Sequence, residues 1–186
     1  MKFNLQKYIW CARAIITKPL YGKFKMPSYI GKPTFLEGRK NIYIGKYVRI
    51  FPGIRMEGIG KGTIKIGDNT AIEQNVHITS ADKKILIGKD VTIAGNSLIT
   101  NMDHDYKDIN KSVMDQPNIS EDTVIGDGCF IGYGSVILAG TKLGKHCVVG
   151  ANSVVRGVFQ DYSVIVGSPA KAVKVYNIEE KKWKKC

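Results

Sequence analysis

The chain has 186 residues, 28 Lys and Arg against 16 Asp and Glu, and a formal net charge of +12. At about 100–200 residues per domain this is one domain, long enough to bury a core. The charge sits at the ends: residues 1–40 carry nine basic and one acidic side chain, residues 171–186 six and two, and residues 41–170 thirteen of each. A neutral body speaks against a nucleic-acid binder, whose cations form a stripe on the folded surface.

The chain opens on a basic arm, residues 1–40. Leu5, Ile9, Ala12 and Ile16 recur at intervals of 4, 3 and 4. That spacing predicts an amphipathic helix with an apolar stripe widened by Tyr8 and Ile15, ended by Pro19. Arg13 interrupts the stretch, which is far shorter than the about 20 residues of a membrane span, and no small-residue cleavage site follows. Two partners fit such a helix. It packs on the body or a neighbouring subunit, or its basic residues within 1–25 hold it to an anionic membrane surface.

From residue 41 to about 160 a different period takes over. Ile44-Gly45 opens a six-residue unit that ends at Ile50, and the same unit returns over Ile66–Ile72 and Ile87–Ile93. Between them, Glu57–Gly62 reads as an inter-coil turn. From Ile125 the aliphatics fall every six positions at Ile131, Ile137, Leu143, Val149 and Val155, with small or slim residues two places ahead. Period six is neither 3.6 nor 2, so it is not explained by a helix or a simple meander. It predicts short parallel strands wound into a three-sided solenoid, 18 residues per coil, with aliphatics stacked along the axis. Cys129 and Cys147, 18 apart, then stack on adjacent coils as buried thiols. The four cysteines (Cys11, Cys129, Cys147, Cys186) contain no CxxC pair, which fits free thiols in a cytoplasmic protein.

Residues 102–124 lose the repeat. A loop of this length leaving a regular solenoid is commonly functional, and it carries Asp103-His104-Asp105-Tyr106. His104, flanked by two carboxylates that are both candidates to fix its tautomer, suits a general base. His77 occupies an outward hexad position and His146 a corner. The three histidines are 27 and 42 residues apart, without the close pair needed by the zinc carbonic anhydrases that share a β-solenoid, so no metal is expected. The last segment, 161–186, contains Val166-Gly167-Ser168-Pro169-Ala170-Lys171 and then a stretch, Ile178–Lys185, that reads as a short solvated helix.

The hexads, the DHDY break and the GSPAK exit resemble those of the hexapeptide-repeat acyltransferases, and more narrowly the sugar and cell-surface polysaccharide O-acetyltransferases, over about residues 30–175. The resemblance implies an all-β left-handed parallel β-helix, a homotrimer with active sites between subunits, and acetyl-CoA as donor. It implies His104 as the catalytic base supported by Asp103 and Asp105. Asn75, His77 and Tyr106 fall on the acceptor side, although Asn75 and His77 also suit a solvated or interfacial role. Tyr133 and Ala151 match pantetheine contacts, and Arg156, Lys171 and Lys174 lie near the nucleotide phosphates. Phe130 stands where relatives often carry Trp, and Gly157 where Lys is common. The expected activity is acetyl transfer to a carbohydrate hydroxyl, with a polysaccharide precursor at the inner membrane face as acceptor. The alternatives are a non-catalytic scaffold, or acetylation of a drug or an amino-sugar amine.

Overall fold

The computed structural model describes residues 5–186; the first four residues of the arm, Lys2 among them, lie outside it. The chain winds as a left-handed parallel β-helix with three flat faces. One face has seven strands, from Lys23–Phe24 to Val158–Phe159; a second has nine, from Tyr29–Ile30 to Lys182–Lys185; the third has six, from Phe35–Glu37 to Val154–Val155. The first coil therefore begins at Lys23, inside the stretch read from sequence as the arm.

Strand register turns the hexads into stacked columns. On the first face Ile44, Ile66, Ile87, Ile125 and Leu143 are successive partners. On the second, Ile30, Ile50, Ile72, Ile93, Ile131, Val149 and Ile165 follow one another. On the third, Met56, Ile78, Ile99, Ile137 and Val155 do the same. These side chains are almost fully buried and form one continuous core. Small polar residues at the inner corners bond to carbonyls of the next coil: Ser28 to Gly45, Thr70 to Gly88, Ser135 to Gly150 and Thr141 to Val155, all near 3.0 Å. Cys129 and Cys147 occupy the same kind of position, each thiol donating to a carbonyl, of Gly144 and Gln160 respectively.

The corners explain the Gly-Asp part of the hexad. Asp68 accepts from the amide of Lys46 on the preceding coil, and Asp161 from that of Lys145. A Cβ on Gly45 or Gly144 would lie 2.4 or 2.3 Å from these carboxylates, so the close approach requires glycine.

Both ends depart from the sequence reading. Helix α1 (Leu5–Thr17) forms, but its packed side carries Trp10 and buried Ala14, with the Trp10 ring 5.7 Å from those of Tyr29 and Phe51. The expected stripe of Leu5, Ile9 and Ile16 faces outward. At the other end there is no helix over Ile178–Lys185. Strand Ala170–Asn177 pairs antiparallel with Ser163–Gly167, and Lys182–Lys185 pairs back on it, with Tyr176 opposite Trp183. The exposed backbone edge of the last coil and the Tyr176–Trp183 ring contact (5.4 Å) outweigh the helix propensity of a short charged segment.

Candidate active site

The chain leaves the solenoid at Asn101 and returns at Glu121. Asn101 is fully buried; its Oδ1 accepts from the Ala81 amide at 2.7 Å and its Nδ2 donates to Ser80 Oγ at 3.1 Å. Its carbonyl receives the Glu121 amide at 2.8 Å, which closes the base of the excursion. Beyond it, strand Met102–His104 pairs antiparallel with Asn118–Ser120, with His104 opposite Asn118. The tip is tied by Gln116, whose side chain accepts from the Asp108 amide and donates to the Asp108 and Lys111 carbonyls. The loop expected from sequence is thus an anchored hairpin.

His104 is exposed on this hairpin, and no hydrogen bond joins its ring to another described residue. Neither flanking carboxylate bonds to it: Asp103, its neighbour in the strand, points to the opposite side, and Asp105 lies past the strand end. Asp103 instead forms an ion pair with Arg156, and Asp105 accepts from the Lys107 amide at 3.1 Å. Arg156, expected among the phosphate contacts, is therefore engaged on the hairpin. Tyr106 lies beyond it, largely exposed.

The base of the hairpin lies against strand His77–Ala81 of the third face. That face carries a polar cluster that sequence reading missed. Glu57, 6% exposed, accepts from Arg55 through both oxygens (2.7 and 3.0 Å), from His77 Nε2 at 2.9 Å and from the Thr79 hydroxyl at 2.8 Å. The Arg55 guanidinium, with help from His77 and Thr79, lowers its pKa to about 2. In the neutral ring, an Nε2–H directed at Glu57 leaves His77 Nδ1 as the acceptor nitrogen. The signal was present as Arg55-x-Glu57 and His77-x-Thr79, one coil apart. The glycines from Gly58 to Gly62 make Glu57 read as part of a turn, whereas Arg55–Ile59 is a strand and the turn begins at Gly60. Asn75 does not join this cluster. It is a corner residue with φ +58°, packed over Gly53.

The expected donor contacts separate into two groups. Tyr133 and Ala151 occupy equivalent exposed corner positions on adjacent coils, along the edge between the second and third faces. Lys171 is paired with Val166 and Lys174 with Val164, one strand beyond the last coil of the second face. Neither lysine makes an ion pair among the described residues. The exposed corners and the two available cations beyond them fit a chain ending in phosphates. Among the described residues no group of three or more His, Cys, Asp or Glu is placed to hold a metal ion.

The profile described as Bacterial transferase hexapeptide (six repeats) matches residues 122–157. WbbJ of Escherichia coli (strain K12), named as a lipopolysaccharide biosynthesis O-acetyl transferase, is 37% identical over all of this chain and 96% of its own length. The chain belongs to the hexapeptide-repeat acyltransferase family. Among solved structures, the hexapeptide-repeat acetyltransferase VCA0836 of Vibrio cholerae O1 biovar eltor, complexed with acetyl-CoA, is 25% identical with a TM-score of 0.67, covering 89% of this chain and 77% of that one. AntD, an N-acyltransferase from Bacillus cereus, shares the fold at a TM-score of 0.75 and 17% identity, over 90% of this chain and 91% of its own. Within this family the exposed imidazole and the polar cluster are the candidate chemical groups of the chain.

Proposed function

We propose that the chain transfers an acetyl group from acetyl-CoA to a carbohydrate hydroxyl of a surface-polysaccharide precursor, in the cytoplasm. The observation that carries this is an unpartnered, exposed imidazole on an anchored hairpin, rising from the face that holds the Arg55–Glu57–His77–Thr79 cluster. The full-length similarity to WbbJ supports the acceptor class.

The thioester supplies an activated acyl carbon. His104 takes the proton of the sugar hydroxyl as its oxygen attacks the thioester carbonyl. Collapse of the tetrahedral adduct breaks the C–S bond, and the imidazolium returns its proton to the leaving thiolate. His77 Nδ1 receives a second hydroxyl of the acceptor, held in place by Glu57. Asp103 acts through the hairpin and its bond to Arg156, Asp105 by fixing the turn to Lys107, and Tyr106 from the hairpin tip. Tyr133 and Ala151 flank the pantetheine arm, and Lys171 and Lys174 meet the phosphates. The missing partner of His104 comes from a neighbouring copy in a homotrimer. Light scattering is therefore expected to give three times the 20.6 kDa protomer mass.

The decisive variant is His104→Ala. It should lower kcat by about 10²–10⁴ while coenzyme A binding, read by calorimetry, stays unchanged. Turnover near that of the wild type would remove His104 from the mechanism.

A further inference from the structure

Helix α1 is oriented the opposite way from an ordinary surface helix. At 100° per residue, Trp10, Ala14 and Thr17 share one side, and Leu5, Ile9, Ala12 and Ile16 share the other. The first side meets the solenoid. The second is open: Leu5 is 75% exposed, Ile16 76%, Ile15 60%, Tyr8 58% and Ile9 52%, and Leu20 beyond the helix is 45% exposed. A single exposed leucine means little, but an unbroken row of large apolar side chains along one helix marks an interaction surface.

Charge identifies what it meets. No acidic residue occurs before Glu37. Lys18, and further round Lys7, lie on the flank beyond Tyr8 and Ile15, and Lys23 and Lys25 continue from the helix end. None of these four makes an ion pair among the described residues. An apolar row with unpaired cations along one flank and at the helix end matches a surface that offers hydrocarbon below and negative charge at its rim. A helix-to-helix contact between copies would instead bring uncompensated cations together in a low-dielectric seam. Thirteen residues rise only about 20 Å, short of the about 30 Å hydrocarbon core, and no described helix is long and apolar enough to cross a membrane.

We infer that α1 is an interfacial anchor. It lies flat on an anionic lipid bilayer, with Leu5, Ile9 and Ile16 among the acyl chains and Lys7 and Lys18 reaching the phosphates. Trp10 and Ala14 hold the solenoid to it from the protein side. The anchor stands independently of the acetyl-transfer reading, since vesicle binding is measured without turnover.

The test is co-sedimentation of the full chain with vesicles. The protein should pellet with phosphatidylcholine vesicles containing phosphatidylglycerol at low salt, and remain in the supernatant with pure phosphatidylcholine. Lys7→Gln/Lys18→Gln should weaken binding roughly thirtyfold. Ile9→Glu/Ile16→Glu should weaken it at least about tenfold, with an unchanged thermal midpoint because both side chains are solvent-exposed. Failure to bind the anionic vesicles, or equal binding to both vesicle types, overturns the anchor. So does an Ile9→Glu/Ile16→Glu protein that keeps its vesicle affinity but drops to a smaller oligomer, which would show that a second copy covers the row.

Discussion

The early and late coils of the solenoid are built from the same repeat and differ in strand length on the third face. In the late coils, its strands Val136–Ile137 and Val154–Val155 have two residues, one inward and one outward. In the early coils, Arg55–Ile59 and His77–Ala81 have five. A longer strand adds a second outward position, so two adjacent coils present a square of side chains: Arg55 and Glu57 beside His77 and Thr79. The regular coils supply the scaffold, and the extended ones have room for a polar constellation.

This contrast can be broken at either end. Ile131→Ala, in the middle of the strict hexads and fully buried, should cost about 2–5 kcal/mol in denaturant unfolding, because stacked coils leave little freedom to collapse around a cavity. Glu57→Gln in the extended coils should cost about 2–3 kcal/mol at pH 7. Its contribution depends on pH. The folded pKa of Glu57 is about 2 against an ordinary 4.5, so its stabilisation is complete above about pH 4.5 and is lost as pH falls through about 2. The difference between wild type and Glu57→Gln should therefore shrink over that window; a constant difference would place the effect outside ionisation. Arg156→Ala should change stability by less than ~1 kcal/mol, since the Asp103 pair is half-exposed. It should lower kcat about tenfold through the hairpin and leave the KM for acetyl-CoA unaltered; a raised KM would return Arg156 to the phosphate site.

Sequence made the coils legible because every sixth aliphatic is buried by the same geometry, and that pattern needs no knowledge of partners. The ends were less legible for the same reason in reverse. The apolar row of α1 predicts which residues shun water but not which surface receives them, and Trp10 with Tyr29 and Phe51 decided the seam. Ile178–Lys185 has the composition of a solvated helix, yet an unpaired strand edge beside it makes its second half, Lys182–Lys185, a strand. At the site, His104 was legible from the break in the repeat. Its missing carboxylate partner was not, because Asp103, its neighbour in the strand, points to the other side and Asp105, past the strand end, binds the Lys107 amide. Glu57 depends on a neighbour 20 residues away, a relation visible only once the coil length is known.

Asn101 has one more implication. Across the excursion Ile87 pairs with Ile125, 38 residues on, whereas Ile66 and Ile87 are 21 apart, and the face continues without a gap. The Asn101 side chain takes the Ala81 amide, and its backbone carbonyl takes the Glu121 amide, so the ladder is sealed beneath the hairpin. The segment between them works as a socketed part, set into the ladder while the coils carrying it keep their register.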